Sequence, residues 1–231
     1  MIPCVSVENM RSSDAYTIAN WVSGTELMHR AAYGIYKAVS WYGKVAIVAG
    51  SGNNGGDGYA LACILQEQGI SSTVFTVSDR LSGDSAYYAE QVKRKNIEIQ
   101  KFTSGCLSGF DFIVDCLLGT GFQGTVRDDY RLAIEEINVS DAFVVSADIN
   151  SGMNGDTGEA AVAVVSDLTV TIGFVKKGLI SENAGKYIRK LVCTDIGIIL
   201  EREEQWIAEE ASGADILQCP EWLDMRILKA Y

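Results

Sequence analysis

Short apolar runs without polar alternation recur along this chain, each followed by a stretch of helical spacing or composition. Residues 44–49 form a β-branched run that ends in glycines, and 59–68 after it has helical composition and stops at Gly69. The alternation continues with strands predicted at 72–77, 97–102, 110–117, 143–147 and 168–172, and helices at 84–95 and 128–138. A last strand is predicted at 190–196, on the sheet edge. Ahead of the first strand, Ser23 and Glu26 form a capping box, with Leu27, Met28, Ala31, Ile35 and Val39 following at helix spacing. Continuous apolar strands separated by helices predict an α/β fold: a Rossmann-like, doubly wound, mostly parallel sheet covered on both faces. No repeat or low-complexity tract interrupts it, so the expectation is a single domain over 1–200. An acidic tail over 201–231, carrying Trp206 and Trp222, is expected to be helical and packed on the domain or a partner.

Composition narrows the function classes. The 231 residues carry 19 Lys and Arg against 30 Asp and Glu, a net charge of −11, and 48% are hydrophobic. Such a surface repels a phosphate backbone, and the one basic cluster, Lys93-Arg94-Lys95, is flanked by acids, so nucleic-acid binding is not expected. No apolar run approaches the roughly 18 residues of a membrane helix, and the six scattered cysteines make no C-x-x-C pair. The expectation is a cytoplasmic protein with reduced thiols and no membrane contact. Cys116 reads as a buried apolar thiol. His29, the single histidine, excludes a multi-histidine metal site and reads as a packed or surface residue.

In an open parallel sheet, ligands bind where loops leave the carboxyl ends of the strands. Three unusual loops fall at such ends: Gly50-Ser51-Gly52-Asn53-Asn54-Gly55-Gly56-Asp57-Gly58, then Asp115 through Gly119-Thr120-Gly121-Phe122, then Asp148-Ile149-Asn150-Ser151-Gly152. Each joins glycines to a carboxylate or carboxamide. The first matches G-x-G-x-x-G, a weak signal alone; Asp79 is only a loose match to the acidic residue a dehydrogenase would need. No Gly-Lys-Ser/Thr follows, so a Walker-type phosphate loop is excluded. Asn54, Asp115 and Ser151 offer only oxygens, a donor set for a hard cation of low charge density, although each residue type is also common in turns.

These three strings, in this order and spacing, resemble the NAD(P)H-hydrate epimerase family, the YjeF N-terminal domain, whose hallmark is the Asn-Asn-Gly-Gly-Asp-Gly loop. The likeness runs from about Asp14 to Ile198 and includes 114–121, Asp156-Thr157-Gly158, Lys176-x-Gly178-Leu179 and Asp195-Ile196-Gly197-Ile198. It implies an enzyme that interconverts the R and S hydrates of NADH and NADPH (NADHX and NADPHX), often dimeric, holding a potassium ion and working beside an NAD(P)H-hydrate dehydratase. It implies substrate contacts from Asn53, Asn54, Gly55, Gly56 and Asp57, from Gly119, Thr120, Gly121, Phe122, Gln123, Gly124 and Thr125, and from Asp148. Asn54, Asp115 and Ser151 would hold the potassium ion. Asp148 would be the acid–base group, and Lys176 would orient the ligand or face phosphate charge, with Lys177 pointing elsewhere. Two positions depart from the family pattern: Asn150 stands where proline is commoner, and His29-Arg30 where many members have Glu-Asn. Two other classes stay open, a catalytically silent binding or scaffold module and an NAD(P)-dependent dehydrogenase.

Overall fold

The computed structural model describes residues 2–81, 83–208, 216–218, 220–221 and 223–230; Cys219 and Trp222 lie outside the described residues. In chain order the strands are β1 (Ile2–Val5), β2 (Val45–Ala49), β3 (Ser72–Thr76), β4 (Glu98–Lys101), β5 (Phe112–Cys116), β6 (Phe143–Ala147), β7 (Leu168–Ile172), β8 (Val175–Lys176), β9 (Lys190–Asp195), β10 (Gln205–Ala208), β11 (Ile216–Gln218) and β12 (Asp224–Lys229). The helices are α1 (Val7–Asn20), α2 (Gly24–Ala38), α3 (Asn53–Glu67), α4 (Asp84–Arg94) and α5 (Asp128–Asn138).

Eight strands form one sheet in the order β12-β9-β7-β6-β5-β2-β3-β4, and every neighbouring pair is parallel. Alternate side chains of β2 explain the layers. Val45, Ile47 and Ala49 pack with the apolar faces of α2, α3 and α4, while Ala46 and Val48 pack with Ala133, Ile134 and Ile137 of α5. The chain runs outward from β2 through β3 to β4, then returns to β5 on the other side of β2 and continues outward. The switch point therefore lies between the carboxyl ends of β2 and β5, where a crevice must open.

The structure corrects three expectations. The first glycine-rich string is not all turn: α3 begins at Asn53, with Gly52 as its N-cap. Those glycines are required by packing. An added Cβ on Gly55 would stand 2.1 Å from the Gly50 carbonyl oxygen, and one on Gly50 1.9 Å from that of Leu117. Among its described residues the tail forms no helix. Its described segments are strands, β10 and β11 extending the sheet from β1 and β12 extending the large sheet from β9, so that neighbouring strands satisfy their backbone. β12 pairs in parallel outside β9, so β9 is not the edge.

The amino terminus also takes part in a way the hydrophobic pattern does not announce. β1 joins a second, four-stranded sheet, β11-β10-β1-β8, and Ser6 caps α1 by accepting from Asn9 N. α1 buries polar residues, Asn9, Ser13 and Thr17, which bond to the segment after β9: Asn9 Nδ2 donates to Arg202 O at 2.7 Å, and Glu201 N donates to Ser13 Oγ at 3.0 Å. Glu204 accepts from both Ser6 N and Ser6 Oγ at 2.7 Å. Among the described residues, no helix is long and apolar enough to cross a membrane.

Candidate functional site

A crevice of ≈ 610 Å³ opens at the switch point. Its walls include Asn53, Asn54 and Asp57 from the start of α3, Gly119, Thr120, Gly121 and Phe122 from the loop after β5, Asp148 from the end of β6, and Lys176 from β8. The three strings thus converge on one space. Phe122 also borders a neighbouring cleft of ≈ 450 Å³, lined by Gln123, Gly124, Asn154 and Lys186. Gly55, Gly56 and Thr125 line neither space. Gly56 instead leaves room for Met28, whose Sδ lies 2.6 Å from where its Cβ would be.

Asp148 occupies a strained turn. Its φ is +66°, and Ile149 N donates to Ala147 O at 2.8 Å, closing the rare γ-turn of positive φ. The turn holds the carboxylate at the strand end. There Asp148 Oδ1 accepts from Ile172 N at 3.2 Å and from Lys176 Nζ in a short contact. Lys176 is 1% exposed, and its ammonium also donates to Thr171 Oγ1 at 3.0 Å and Ile172 O at 2.7 Å. All its donors face the protein, so Lys176 serves Asp148 and does not act as a phosphate clamp. Lys177 points away and pairs with Glu204 at 3.2 Å.

Asp115 and Ser151 lie beneath the crevice, both fully buried. Asp115 Oδ1 accepts from Ser151 Oγ at 2.5 Å and Leu117 N at 3.2 Å, and Oδ2 accepts from Ser151 N and Ser146 Oγ at 2.9 Å. Burial pushes the Asp115 carboxyl up, against the hydrogen bonds from Ser151, Leu117 and Ser146. Among the described residues no ion pair compensates it. Asn54 Nδ2 donates to Leu118 O at 3.0 Å, whereas Asn54 Oδ1 is buried with no partner. Asn54 and Ser151 therefore meet around one carbonyl, with an acceptor and a buried charge both uncompensated.

Asn150 explains how the third string holds its shape without proline. Its Nδ2 donates to Val164 O, Ser166 Oγ and Tyr187 O at 2.9–3.0 Å, and its Oδ1 accepts from Thr169 Oγ1 at 2.6 Å. His29 stacks on Tyr33 at 6.5 Å outside the crevice, and Arg30 pairs with Glu26 and donates to Ile196 O at 3.2 Å. Burial drives the Cys116 thiol well above its ordinary range, with Asp115 and Asp57 adding to it, so it is no nucleophile.

The sequence reading missed one wall. Met10, Arg11, Asp14 and Ile18, on one face of α1, line the crevice, as do Leu27, Ile172, Ile196 and Ile198. Ser6, three residues before Asn9, was the available signal for α1, but its buried face is polar and leaves no apolar period to detect.

A family profile described as YjeF-related protein N-terminus matches residues 24–178. A protein of Limosilactobacillus fermentum named NAD(P)H-hydrate epimerase is 31% identical over 198 residues, covering 83% of this chain and 95% of that protein. One of the same name from Rhodopirellula baltica is 32% identical over 216 residues, covering 89% and 88%. A bifunctional NAD(P)H-hydrate repair enzyme, Nnr, of Coxiella burnetii is 34% identical over 196 residues, 82% of this chain; the chain spans 40% of that longer relative. The crystal structure of the yeast protein ynu0 superposes with a TM-score of 0.67 at 22% identity, covering 76% of this chain and 82% of that one, a likeness of fold.

Proposed function

The chain belongs to the YjeF-related N-terminal family, and from that premise we propose that it is an NAD(P)H-hydrate epimerase, an isomerase interconverting the R and S forms of NADHX and NADPHX. The observation that carries the reading is the Asp148–Lys176 pair at the wall of a switch-point crevice, where a ring carbon can meet one held carboxylate.

Inverting C6 of the hydrated ring requires its hydroxyl to leave, helped by the lone pair of the ring nitrogen, and water to return on the other face. Asp148 handles the proton. Lys176 and the Ile172 amide hold its carboxylate in place, and the γ-turn fixes its direction. The backbone at the start of α3 presents unpaired amides and a positive dipole end to a phosphate, and Gly119 to Phe122 cover the sugar. Apolar Leu27, Ile172 and Ile198 exclude water from the ring.

The donor set fits potassium, because the unpartnered Asn54 Oδ1 and the uncompensated Asp115 carboxylate call for a cation of low charge density. Asn54, Asp115 and Ser151 would hold it. Bound there, the ion would neutralise Asp115 and tie the start of α3 to the loop after β5. We expect unfolding temperature to rise by about 3–6 °C in KCl at roughly tenfold the dissociation constant, relative to choline chloride at equal ionic strength. Asn54→Ala should abolish that potassium-specific rise; a rise unchanged in the variant would remove Asn54 from the ligand set.

The finer parts of the proposal are a cytoplasmic homodimer and a partnership with a dehydratase. Relatives from Coxiella burnetii and Archaeoglobus fulgidus named as bifunctional repair enzymes, of which this chain spans 40% and 37%, support pairing with a second repair activity. The deciding experiment is chromatography of purified R-NADHX incubated with the protein, with and without potassium. Appearance of the S epimer well above its spontaneous rate is the expected result. No acceleration by folded, potassium-loaded protein would leave a binding module in its place.

A further inference from the structure

The crevice holds more acid than its lysine can balance. Asp14 of α1, Asp57 of α3 and Asp148 all line it, while Lys176 is committed to Asp148, Thr171 and Ile172. Asp57 is 9% exposed, and its carboxyl makes no hydrogen bond among the described residues. Burial first, then the charges of Asp148 and Asp14, push its carboxyl well above its ordinary value. Asp14 is also raised, by burial and by Asp148 and Asp84, with Lys176 acting in the opposite sense. It likewise makes no hydrogen bond among the described residues. Yet it is only partly buried, so it can exchange protons with bound water and ligand.

Placement separates Asp14 from Asp148. Asp148 stands at a strand end in the sheet, whereas Asp14 hangs from α1, on the face that also carries Met10, Arg11 and Ile18. A guanidinium nitrogen of Arg11 lies 3.6 Å from where a Cβ on Gly121 would stand, so this face of α1 looks across at the loop after β5. Asp14 and Asp148 thus reach one crevice from different elements, α1 and the carboxyl end of β6. An epimerisation can use a group on each side, because the hydroxyl leaves from one face of the ring and returns to the other.

We propose that Asp14 is a second catalytic acid–base residue of the epimerisation, serving the ring face opposite to the one served by Asp148. The inference rests on the epimerase reading. In the forward step protonated Asp14 gives its proton to the C6 hydroxyl. The C6–O bond breaks and its electron pair leaves with the oxygen as water, while the lone pair of the ring nitrogen forms a C6=N bond. A water on the opposite face then attacks C6, the C=N π pair returns to nitrogen, and the proton lost by that water passes to the Asp148 carboxylate. No oxidant or reductant is needed. Asp14 ends deprotonated and Asp148 protonated, the arrangement that handles the other epimer.

The test compares wild type, Asp14→Asn and Asp14→Glu on R-NADHX, reading kcat, KM and their pH dependence, with thermal unfolding as a control for folding. The groups sharing the crevice with Asp14 are Arg11 on its own helix, Asp57 from α3, Asp84 from α4, and Asp148 and Lys176 from the sheet side. For Asp14→Asn we expect kcat to fall by about 10²–10³-fold with little change in KM, and the alkaline limb of the rate profile to disappear. Asp14→Glu should restore most of the lost rate and return that limb. Asp14→Asn at wild-type kcat, or both variants equally slow with the alkaline limb intact, would overturn the proposal while leaving the epimerase reading standing. A wild-type protein inert toward R-NADHX would overturn both.

Discussion

Asp148→Asn is expected to fold and to lose epimerisation by at least about 10³-fold in kcat, the upper part of the range for a lost acid–base group. Asparagine is nearly isosteric and is among the residues that best tolerate φ +66°, so the γ-turn survives. Its carbonyl oxygen can still accept from Ile172 N and Lys176 Nζ. What disappears is a group that can take up and release a proton, so kcat falls while KM moves little. Stability falls too, because Lys176 is 1% exposed and loses its counter-charge; the loss is expected to be up to about 3 kcal/mol, moderated by Thr171 and Ile172. The double variant Asp148→Asn/Lys176→Met separates the two effects. It should regain stability in chemical denaturation and remain inactive. An active single variant, or a double variant that regains activity, would show that the proton is handled elsewhere.

Gly55→Ala is expected to lose at least about 3 kcal/mol of stability, although alanine in a helix normally improves on glycine by about 1 kcal/mol. The sign is decided by the neighbours. The new Cβ would stand 2.1 Å from Gly50 O and 2.9 Å from Gly50 C, backbone atoms that cannot rotate away, and Gly50 is itself pressed on Leu117 O. Relief requires α3 to move away from the end of β2, carrying Asn53 and Asn54 with it, so the potassium-specific thermal shift and epimerisation should be lost together. Gly52→Ala is the control. Nothing lies within 4 Å of its Cβ position, and the change should cost no more than about 1 kcal/mol. A urea midpoint for Gly55→Ala near that of wild type, at equal m, would mean that the junction is not as tightly packed as described.

The legibility of this fold follows from how locally each element is specified. β6, β7 and α5 stand at the residues their patterns predict, because the short β-branched runs of β6 and β7 carry no charge and suit a buried strand while α5 carries a helical apolar stripe. The start of α3 was misread as turn, because glycine signals conformational freedom in sequence while here it serves close packing. β1 and α1 were missed, because their partners lie some 200 residues away and several contacts are polar, as at Ser6 with Glu204 and Asn9 with Arg202, while the tail strands are set by pairing with β1 and β9 that no local pattern announces.

The site divides in the same way. Glycines, amides and carboxylates at three strand ends are local features, and topology alone requires those ends to share a crevice, so Asn54, Asp57, Asp115, Asp148 and Ser151 could be singled out from the chain. Which of them face the ligand space and which lie beneath it depends on side-chain burial: Asp115 and Ser151 turned inward, and Lys176 was drawn to Asp148. Asp14 entered the site only because polar bonds to the segment after β9 swing α1 across the strand ends. Burial and charge balance are sums over distant parts of the chain, and a linear pattern carries no record of them until the chain has folded.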